Sequence, residues 1–350
     1  MNKHLLQWVE IDRSALFHNL REFRQLIGKH RLLLATVKAN AYGHGISEIS
    51  PLALEAGADW LGVHSVEEAR LLRRRGVGCP VLVLGYVPLD GLREAVDLDV
   101  RLTVYNQETI DALARIGKSI EKKIRIHVKV ETGTHRQGVS VEDLLPFVRR
   151  IQDYPSLFLE GLSSHFANIE DTTDHSYARY QVETFQRACQ MLEEAGVHVP
   201  IKHMACSAAA ILFPDTYFDM VRVGIGMYGL WPSKETYLSC ILQTRPPVVL
   251  KPVLSWKARI AQIKHVAKGA CIGYGCTYKT TRQTTLAVLP VGYYDGYSRA
   301  LSNAAHVLVK GQRAPLLGRV AMNFIVVDIT DIPDVKIEDE AVLIGVSGEE

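Results

Sequence analysis

Eight short apolar runs alternate with helix-like stretches over the first two thirds of this 350-residue chain, and this alternation limits the possible folds more than any other feature. The runs are rich in Val, Ile and Leu and lack polar alternation, which is typical of parallel strands buried on both faces. We predict strands at Leu32–Lys38, Trp60–Ser65, Val81–Gly85, Leu102–Tyr105, Ile124–Val130, Leu157–His165, Lys202–Cys206 and Met220–Ile225. Helical spacing is clearest at Val66–Arg75, Gln107–Ile116, Val141–Arg150 and Tyr177–Glu194, and Ser65 followed by Glu68 resembles a capping box at the start of the first of these helices. Eight such units predict an α/β fold with an N-terminal (β/α)8 TIM barrel.

The pattern changes after Tyr228, where prolines mark a connection and no further long helix is predicted. The strand-like runs that follow are Ser255–His265, Leu286–Val291, Ala305–Val309, Phe324–Ile329 and Glu340–Ile344. We therefore predict a barrel over residues 1–244 and a C-terminal, mostly β domain over residues 245–350. The strand-like residues 1–11 are compatible with either domain.

Composition excludes several classes of protein. Lys plus Arg is 40 and Asp plus Glu is 38, so the net charge of +2 gives no basic surplus for nucleic acid. The longest apolar run is far shorter than the ~20 residues of a membrane helix, and the first residues lack the apolar core of a secretory signal. The 6 cysteines form no C-x-x-C pair, which disfavours a disulfide scaffold and a zinc site. We expect a cytoplasmic protein without a bound metal.

Several residues that suit chemistry lie at the ends of predicted strands, where barrel enzymes build their active sites. Lys38 ends the first strand, and a lysine there either reaches solvent or enters the barrel mouth, where desolvated lysines form Schiff bases. Tyr42 follows it with a hydroxyl suited to phosphate. Ser207 begins a predicted helix, as a phosphate ligand or as a plain helix cap. Arg222 lies inside the last strand, where a buried guanidinium needs hydrogen-bond acceptors.

The segment Gly224–Gly229 spells G-x-G-x-x-G, the spacing of a dinucleotide-binding loop. We reject that interpretation because no clear helix follows and Pro232 interrupts the chain there.

The segment Val37–Gly45 resembles the cofactor-attachment motif of alanine racemases almost letter for letter. Other motifs of that family follow in the same order along nearly the whole chain, and such an ordered set is highly specific. These motifs are Lys129–Gly138, Ser164–Phe166, Ser207–Ala209, Arg222–Gly229, Gly273–Gly275, Val291–Tyr297 and Gly318–Met322. The resemblance implies a pyridoxal-phosphate enzyme that racemises alanine, works as a homodimer with shared active sites, and supplies D-alanine for cell-wall peptidoglycan.

The resemblance also implies roles for individual residues of the barrel. Lys38 would hold the cofactor covalently and act as one catalytic base. The implied cofactor contacts are Tyr42, Ser207, Gly224 and Ile225 at the phosphate, Arg222 at the pyridine nitrogen with His165 beside it, and Arg136 at the phenolic oxygen and the substrate. Lys129 matches a position that is often carbamylated.

The remaining implied roles fall in the β domain. Tyr274 of the partner subunit would be the second base, since inverting a Cα centre needs a proton removed from one face and delivered to the other. Met322 would offer a backbone N–H to the substrate carboxylate. Tyr293, Arg299 and Arg319 match the corridor through which substrate enters.

The chain departs from the family pattern at three places. Cys206 stands where family members carry Asn, and Asn323 stands where they usually carry Asp. Either change is expected to alter substrate range or rate. The family continues for a few dozen residues beyond the position of Glu350, to a tyrosine that contacts the phosphate, so a chain without that segment is expected to bind the cofactor more weakly.

Three alternative functions stay open. A serine or broad-specificity amino-acid racemase would share all of these motifs. A decarboxylase of the same two-domain fold would also bind pyridoxal phosphate, but Gly273–Gly275 fits racemases better. A non-catalytic pyridoxal-phosphate-binding protein would resemble the barrel alone, and the β domain with Tyr274 argues against it.

Overall fold

A computed structural model of the chain describes residues 4–244 and 248–348, which form two compact units. The barrel unit runs from Arg13 to Lys251. The β unit combines the segment that ends at Asp12 with the segment that begins at Pro252.

The barrel unit contains an eight-stranded parallel sheet in which the last strand returns to pair with the first. All eight predicted strands are confirmed, at Leu32–Thr36, Trp60–Val63, Val81–Val83, Arg101–Val104, Ile124–Lys129, Leu157–Ser163, Ile201–His203 and Met220–Val223. Each prediction ran one to three residues too far at the carboxyl end, because the residues there leave the ladder to form the loops of the barrel mouth.

Helices alternate with these strands as predicted. They span Arg13–Ile27, Ile46–Glu55, Val66–Arg74, Leu92–Asp97, Gln107–Ser119, Val141–Gln152, Ser176–Glu194, Ser207–Leu212 and Lys234–Leu242. Several of them begin at a Ser or Asn side chain that accepts a hydrogen bond from the backbone amide three residues later, which stabilises the first turn. These caps are Ser65, Asn106, Ser140 and Ser233.

Two sequence-based predictions for the barrel unit were wrong. A helix does follow the G-x-G-x-x-G segment, since Ser233 caps Lys234–Leu242 just after Pro232. Ser65 and Glu68 also do not form a reciprocal capping box. Ser65 Oγ accepts from the Glu68 amide at 3.4 Å, but the Glu68 carboxylate turns to the amides of His64 and Ala39.

The β unit is built from antiparallel strands. A five-stranded sheet contains Gln7–Ile11, Leu254–Arg259, Glu340–Ile344, His306–Val309 and Gln312–Pro315, in that order. A three-stranded sheet contains Gln262–Val266, Thr284–Leu289 and Ile325–Asp328, and a short hairpin pairs Cys271–Ile272 with Tyr278–Lys279. Buried aliphatic side chains from both sheets, such as Ala258, Leu289 and Val327, form one core.

The run predicted as a single strand at Ser255–His265 is two strands in different sheets. The chain changes sheets at Ile260 and Ala261, whose amides donate to Asp339 in one direction and to Val288 in the other, both at 2.9 Å. An apolar run crossing from one sheet to the next looks continuous in sequence because both sheets face the same core.

Within the described ranges, none of the helices combines the length and the apolar character needed to cross a membrane.

Candidate active site

A cavity of about 660 Å³ opens where the barrel strands end. It brings together all the barrel residues predicted for the site, namely Lys38, Tyr42, Lys129, Arg136, His165, Ser207, Arg222, Gly224 and Ile225. The remaining predicted residues, Tyr274, Tyr293, Arg299, Arg319 and Met322, lie in the β unit.

Lys38 lies at the start of an unusual left-handed turn. The next four residues, Ala39–Tyr42, have φ angles of 53°, 52°, 54° and 55°. L-residues avoid this region at a cost of about 1–2 kcal/mol each, so surrounding contacts must hold the turn. The ring of Tyr228 contacts this segment, with its centroid 5.0 Å from that of Tyr42 and its hydroxyl donating to the carbonyl oxygen of Thr36 at 3.0 Å.

The electrostatics of the cavity are dominated by cations. Lys38, Lys129, Arg136 and Arg222 line it, whereas Glu170 is the carboxylate among its lining residues. Burial, reinforced by Arg136 and Arg222, lowers the pKa of Lys38. Burial and the charges of Arg222 and Arg136 lower the pKa of Lys129 to about 7. Both lysines are therefore easier to deprotonate than a lysine in water, which makes each amine available as a base or nucleophile.

Arg222 finds the acceptors that its burial requires. Its Nη1 donates to His203 Nδ1 at 2.6 Å and to the His203 carbonyl oxygen at 3.1 Å. Its Nη2 donates to the carbonyl oxygens of Ser164 and Met204 and lies 3.2 Å from His165 Nδ1. None of these hydrogen bonds within the described chain uses Nε, so that N–H stays available at the wall of the cavity.

A chain of hydrogen bonds continues from Arg222 across the barrel interior. Burial lowers the pKa of both His203 and His127, so both imidazoles are neutral near pH 7. A guanidinium can only donate, so His203 carries its proton on Nε2 and donates to His127 Nδ1 at 2.9 Å. His127 Nε2 then donates to Glu160 at 3.2 Å. Three buried groups thus fix the orientation of one cation.

The hydrogen-bonded residues His203, His127 and Glu160 were not predicted from the sequence, although the sequence contained a usable signal for them. His127 lies between the apolar residues Ile126 and Val128 of its strand, and Glu160 lies in the interior of the neighbouring strand Leu157–Ser163. Buried polar groups require partners, so isolated polar residues on neighbouring strands are candidates for contact.

Ser207 is not the helix cap. Cys206 occupies the cap position, and Ser207 Oγ accepts hydrogen bonds from the amides of Gly224 at 3.0 Å and Gly226 at 3.3 Å. A Cβ at Gly224 would lie 2.6 Å from the Tyr42 hydroxyl, so only glycine fits there. The hydroxyls of Tyr42 and Ser207 and the Gly224 amide therefore converge on one corner of the cavity, which Ile225 also lines.

Cys206, the residue that departs from the family pattern, is also placed in this cavity. Its Sγ donates to Glu170 at 3.4 Å. Burial and the Glu170 carboxylate raise the pKa of the thiol to about 12, so it stays protonated.

In the β unit, Tyr274 lies on the tip of the short hairpin with its side chain 75% exposed. It is flanked by Gly273 and Gly275, both with positive φ, which lets the chain turn sharply around it. A Cβ at Gly275 would lie 3.4 Å from the guanidinium of Arg319.

The other predicted residues of the β unit are also accessible. Met322 is 53% exposed and is followed by the exposed Asn323. The Arg299 guanidinium lies 5.5 Å from the ring centroid of Tyr293.

Comparison with known proteins gives consistent results. The sequence model of the N-terminal domain of alanine racemases matches residues 11–232, and that of the C-terminal domain matches residues 253–350. The alanine racemase of Desulforamulus reducens is 41% identical over 339 residues, or 97% of this chain and 90% of that protein. The alanine racemase of Symbiobacterium thermophilum is 42% identical over 344 residues, or 98% and 88% of the two chains.

Solved structures agree. The alanine racemase from Bacillus anthracis with bound L-Ala-P gives a TM-score of 0.90 at 36% identity, covering 100% of this chain and 88% of that one. The histidine racemase from Leuconostoc mesenteroides gives a TM-score of 0.89 at 30% identity, covering 99% and 90%.

The barrel, its lysine-bearing cavity and these likenesses define an enzyme of the amino-acid racemase class. Both domain models match in order and together cover most of the sequence. The chain belongs to the alanine racemase family.

Proposed function

We propose that this enzyme racemises alanine with pyridoxal phosphate as cofactor and with Lys38 and Tyr274 as its two bases. The observation that carries the proposal is the desolvated amine of Lys38 at the mouth of a strongly cationic cavity. The residues of the cavity fit the cofactor and the substrate. The cofactor carries a phosphate and the substrate a carboxylate, and four basic side chains face one carboxylate there.

The hydroxyls of Tyr42 and Ser207 would hold the phosphate group, together with Ile225 and the Gly224 amide, which would exchange its hydrogen bond to Ser207 Oγ for one to the phosphate. Glycine at position 224 leaves room that a side chain would fill, since a Cβ would approach the Tyr42 hydroxyl to 2.6 Å. The Nε–H of Arg222 would face the pyridine nitrogen, because both Nη atoms are occupied elsewhere. His165 lies beside that guanidinium, and Arg136 would meet the phenolic oxygen and the substrate carboxylate.

Bound pyridoxal phosphate supplies a conjugated ring that weakens the Cα–H bond of the amino acid attached to it. Lys38 Nζ takes or delivers the proton on one face of Cα. Its pKa is lowered by burial and by Arg136 and Arg222, which brings the free amine closer to the working pH. The hydroxyl oxygen of Tyr274 serves the opposite face.

We further propose that Tyr274 acts in the site of a second copy of the chain, in a homodimer with shared active sites. Its 75% exposure supports this role, since a side chain that points away from its own unit is available to another subunit. Met322 would offer its amide to the substrate carboxylate, and Tyr293, Arg299 and Arg319 would line the corridor.

Lys129 is proposed to carry a carbamate. With a pKa of about 7, the Lys129 side chain is the neutral amine in a large fraction of the molecules near neutral pH. The neutral amine adds carbon dioxide and releases one proton. The product is an anion, which converts repulsion by Arg136 and Arg222 into attraction. The buried Thr103 hydroxyl lines the same cavity and has no hydrogen-bond partner among the described residues, so it could receive the added group.

Among substrates we favour alanine, because relatives that share 41% and 42% identity with this chain are named for it. We further propose that the reaction takes place in the cytoplasm and supplies D-alanine for peptidoglycan. Serine stays the alternative substrate, since Cys206 and Asn323 change the site at two places.

The test is to incubate the cofactor-loaded enzyme with L-alanine, L-serine or L-histidine and to measure each D-isomer by chiral chromatography. We expect D-alanine to form fastest, and Lys38→Ala to abolish both the visible absorbance of the attached cofactor and the reaction. Faster formation of D-serine or D-histidine would show that serine or histidine, and not alanine, is the preferred substrate. Absence of every D-isomer despite bound cofactor would overturn the proposed reaction.

A further inference from the structure

The left-handed turn that presents Lys38 and Tyr42 is held from outside by a carboxylate to which neither the motifs nor the proposed chemistry gives a role. Glu68 lies in the first turn of the helix Val66–Arg74. Its Oε1 accepts a hydrogen bond from the Ala39 amide at 2.6 Å, and its Oε2 accepts one from the His64 amide at 2.7 Å. One side chain therefore joins the loops that follow the first and second barrel strands.

The position of the first hydrogen bond matters more than its strength. Ala39 is the residue directly after Lys38 and the first of the four left-handed residues. Within the turn, Asn40 Oδ1 accepts from the Ile46 amide at 2.9 Å, and the Ala41 amide donates to the Val37 carbonyl oxygen at 2.8 Å. These contacts fix the end of the turn and its middle. Glu68 instead fixes the peptide group between Lys38 and Ala39, which is next to the Cα atom that carries the Lys38 side chain.

We propose that Glu68 is a positioning residue, whose carboxylate keeps the turn in the left-handed conformation that aims Lys38 and Tyr42 into the cavity. This inference rests on the proposed function, because it concerns the residues that would hold pyridoxal phosphate. Both oxygens are needed as acceptors, since each faces a different backbone amide. An amide side chain offers only one acceptor, and its NH2 group would face an N–H.

The chain provides a matched control in the neighbouring residue. Glu67 occupies the same first turn of the same helix, is exposed, and hydrogen-bonds locally at Ser65. Glu67→Gln removes the same charge from the same helix end and leaves the two amides of Ala39 and His64 with their acceptor.

The experiment compares wild type, Glu68→Gln and Glu67→Gln at a temperature where all three are fully folded by circular dichroism. The readouts are the dissociation constant for pyridoxal phosphate, obtained by titrating the apo-enzyme, and the yield of Lys38 trapped by borohydride reduction. Loss of one charge-assisted hydrogen bond predicts a rise of about tenfold in the dissociation constant for Glu68→Gln and less than about twofold for Glu67→Gln.

A purely structural role would lower the unfolding temperature of Glu68→Gln and leave cofactor affinity at the wild-type value, which would overturn the proposal. If Glu68→Gln does not fold, Glu68→Asp decides, because it keeps the charge but is too short to reach both amides. Wild-type affinity in Glu68→Asp would also overturn the proposal. Failure of the proposed function is distinct, since the wild-type chain itself would then bind no cofactor.

Discussion

The two halves of the proposed site differ in how far a single chain completes them. In the barrel unit, Lys38, Lys129 and Arg222 share one cavity, and each has its pKa lowered, chiefly by burial. In the β unit, Tyr274 lies on a hairpin tip and is 75% exposed. The barrel half is assembled by contacts within its own unit, whereas the β half presents one reactive side chain outward.

This difference indicates that the two halves have different functions in the site. Buried cations need an anion to offset the cost of desolvation, so the barrel half is built to bind a charged ligand tightly. An exposed tyrosine on a tight turn binds little by itself, but it can complete a cavity from outside. The comparison supports shared active sites.

The strongest test of shared active sites is to place one substitution in the barrel half and one in the β half on different chains of the same dimer. Lys38→Ala and Tyr274→Phe are each expected to be nearly inactive, because each removes one base and general acid–base groups contribute about 10²–10⁴-fold. Co-expressed together, they should recover about a quarter of the wild-type rate, because half of the dimers are mixed and each mixed dimer keeps one intact site of two. The D-isomer assay measures this recovery.

Tyr274→Phe alone should bind pyridoxal phosphate as tightly as wild type, whereas Lys38→Ala should not hold it covalently. No recovery in dimers shown to be mixed by differential tags would mean that Tyr274 does not act across subunits.

The barrel strands could be predicted from sequence because a parallel sheet buried on both faces leaves continuous apolar runs. Leu32–Thr36 and Trp60–Val63 were recognisable for this reason alone. The ordered motifs likewise predicted which barrel residues gather in one cavity, although their assigned roles stay predictions.

The conformation of the Lys38 turn could not be predicted. The segment Ala39–Tyr42 contains no glycine. A left-handed conformation of four consecutive L-residues therefore depends on tertiary contacts such as that of Glu68. The same residue misled the sequence analysis, because Glu68 three residues after Ser65 matches a local capping box. The Glu68 carboxylate instead accepts hydrogen bonds from the backbone amides of Ala39 and His64, and the local spacing of Ser65 and Glu68 does not reveal these partners.

A second prediction compares an arginine from each half. Arg222→Met should lower the free energy of unfolding by about 3 kcal/mol, because it leaves His203 Nδ1 and several buried carbonyl oxygens without a donor. Arg319→Met should change it by less than about 0.5 kcal/mol, because the Arg319 side chain is exposed. Denaturant unfolding of the cofactor-free proteins measures both, so that ligand binding does not contribute. Equal losses would show that the buried network adds nothing to the stability of the barrel half.

The smallest expected effect is a difference in pH dependence between two lysines. Lys129 has a folded pKa of about 7, below the unfolded value near 10.4. Between these values the unfolded chain binds more protons, so the free energy of unfolding should rise with pH, by about 1.4 kcal/mol per unit at most. Lys129→Met should lack this rise when stability is measured from pH 7 to 10 in buffer free of carbon dioxide.

Lys257 of the β unit is the control for that slope. Burial opposes its charge, but ion pairs with Glu340 and Glu10 raise its pKa. The stability from these pairs is fully present below the unfolded pKa and is lost only as pH rises through the higher folded value. Lys257→Met should therefore shift the whole profile between pH 7 and 10 without changing its slope. If Lys129→Met ran parallel to wild type instead, the Lys129 amine would be charged in the folded chain, and both its carbamylation and the contrast between the two halves would lose their physical basis.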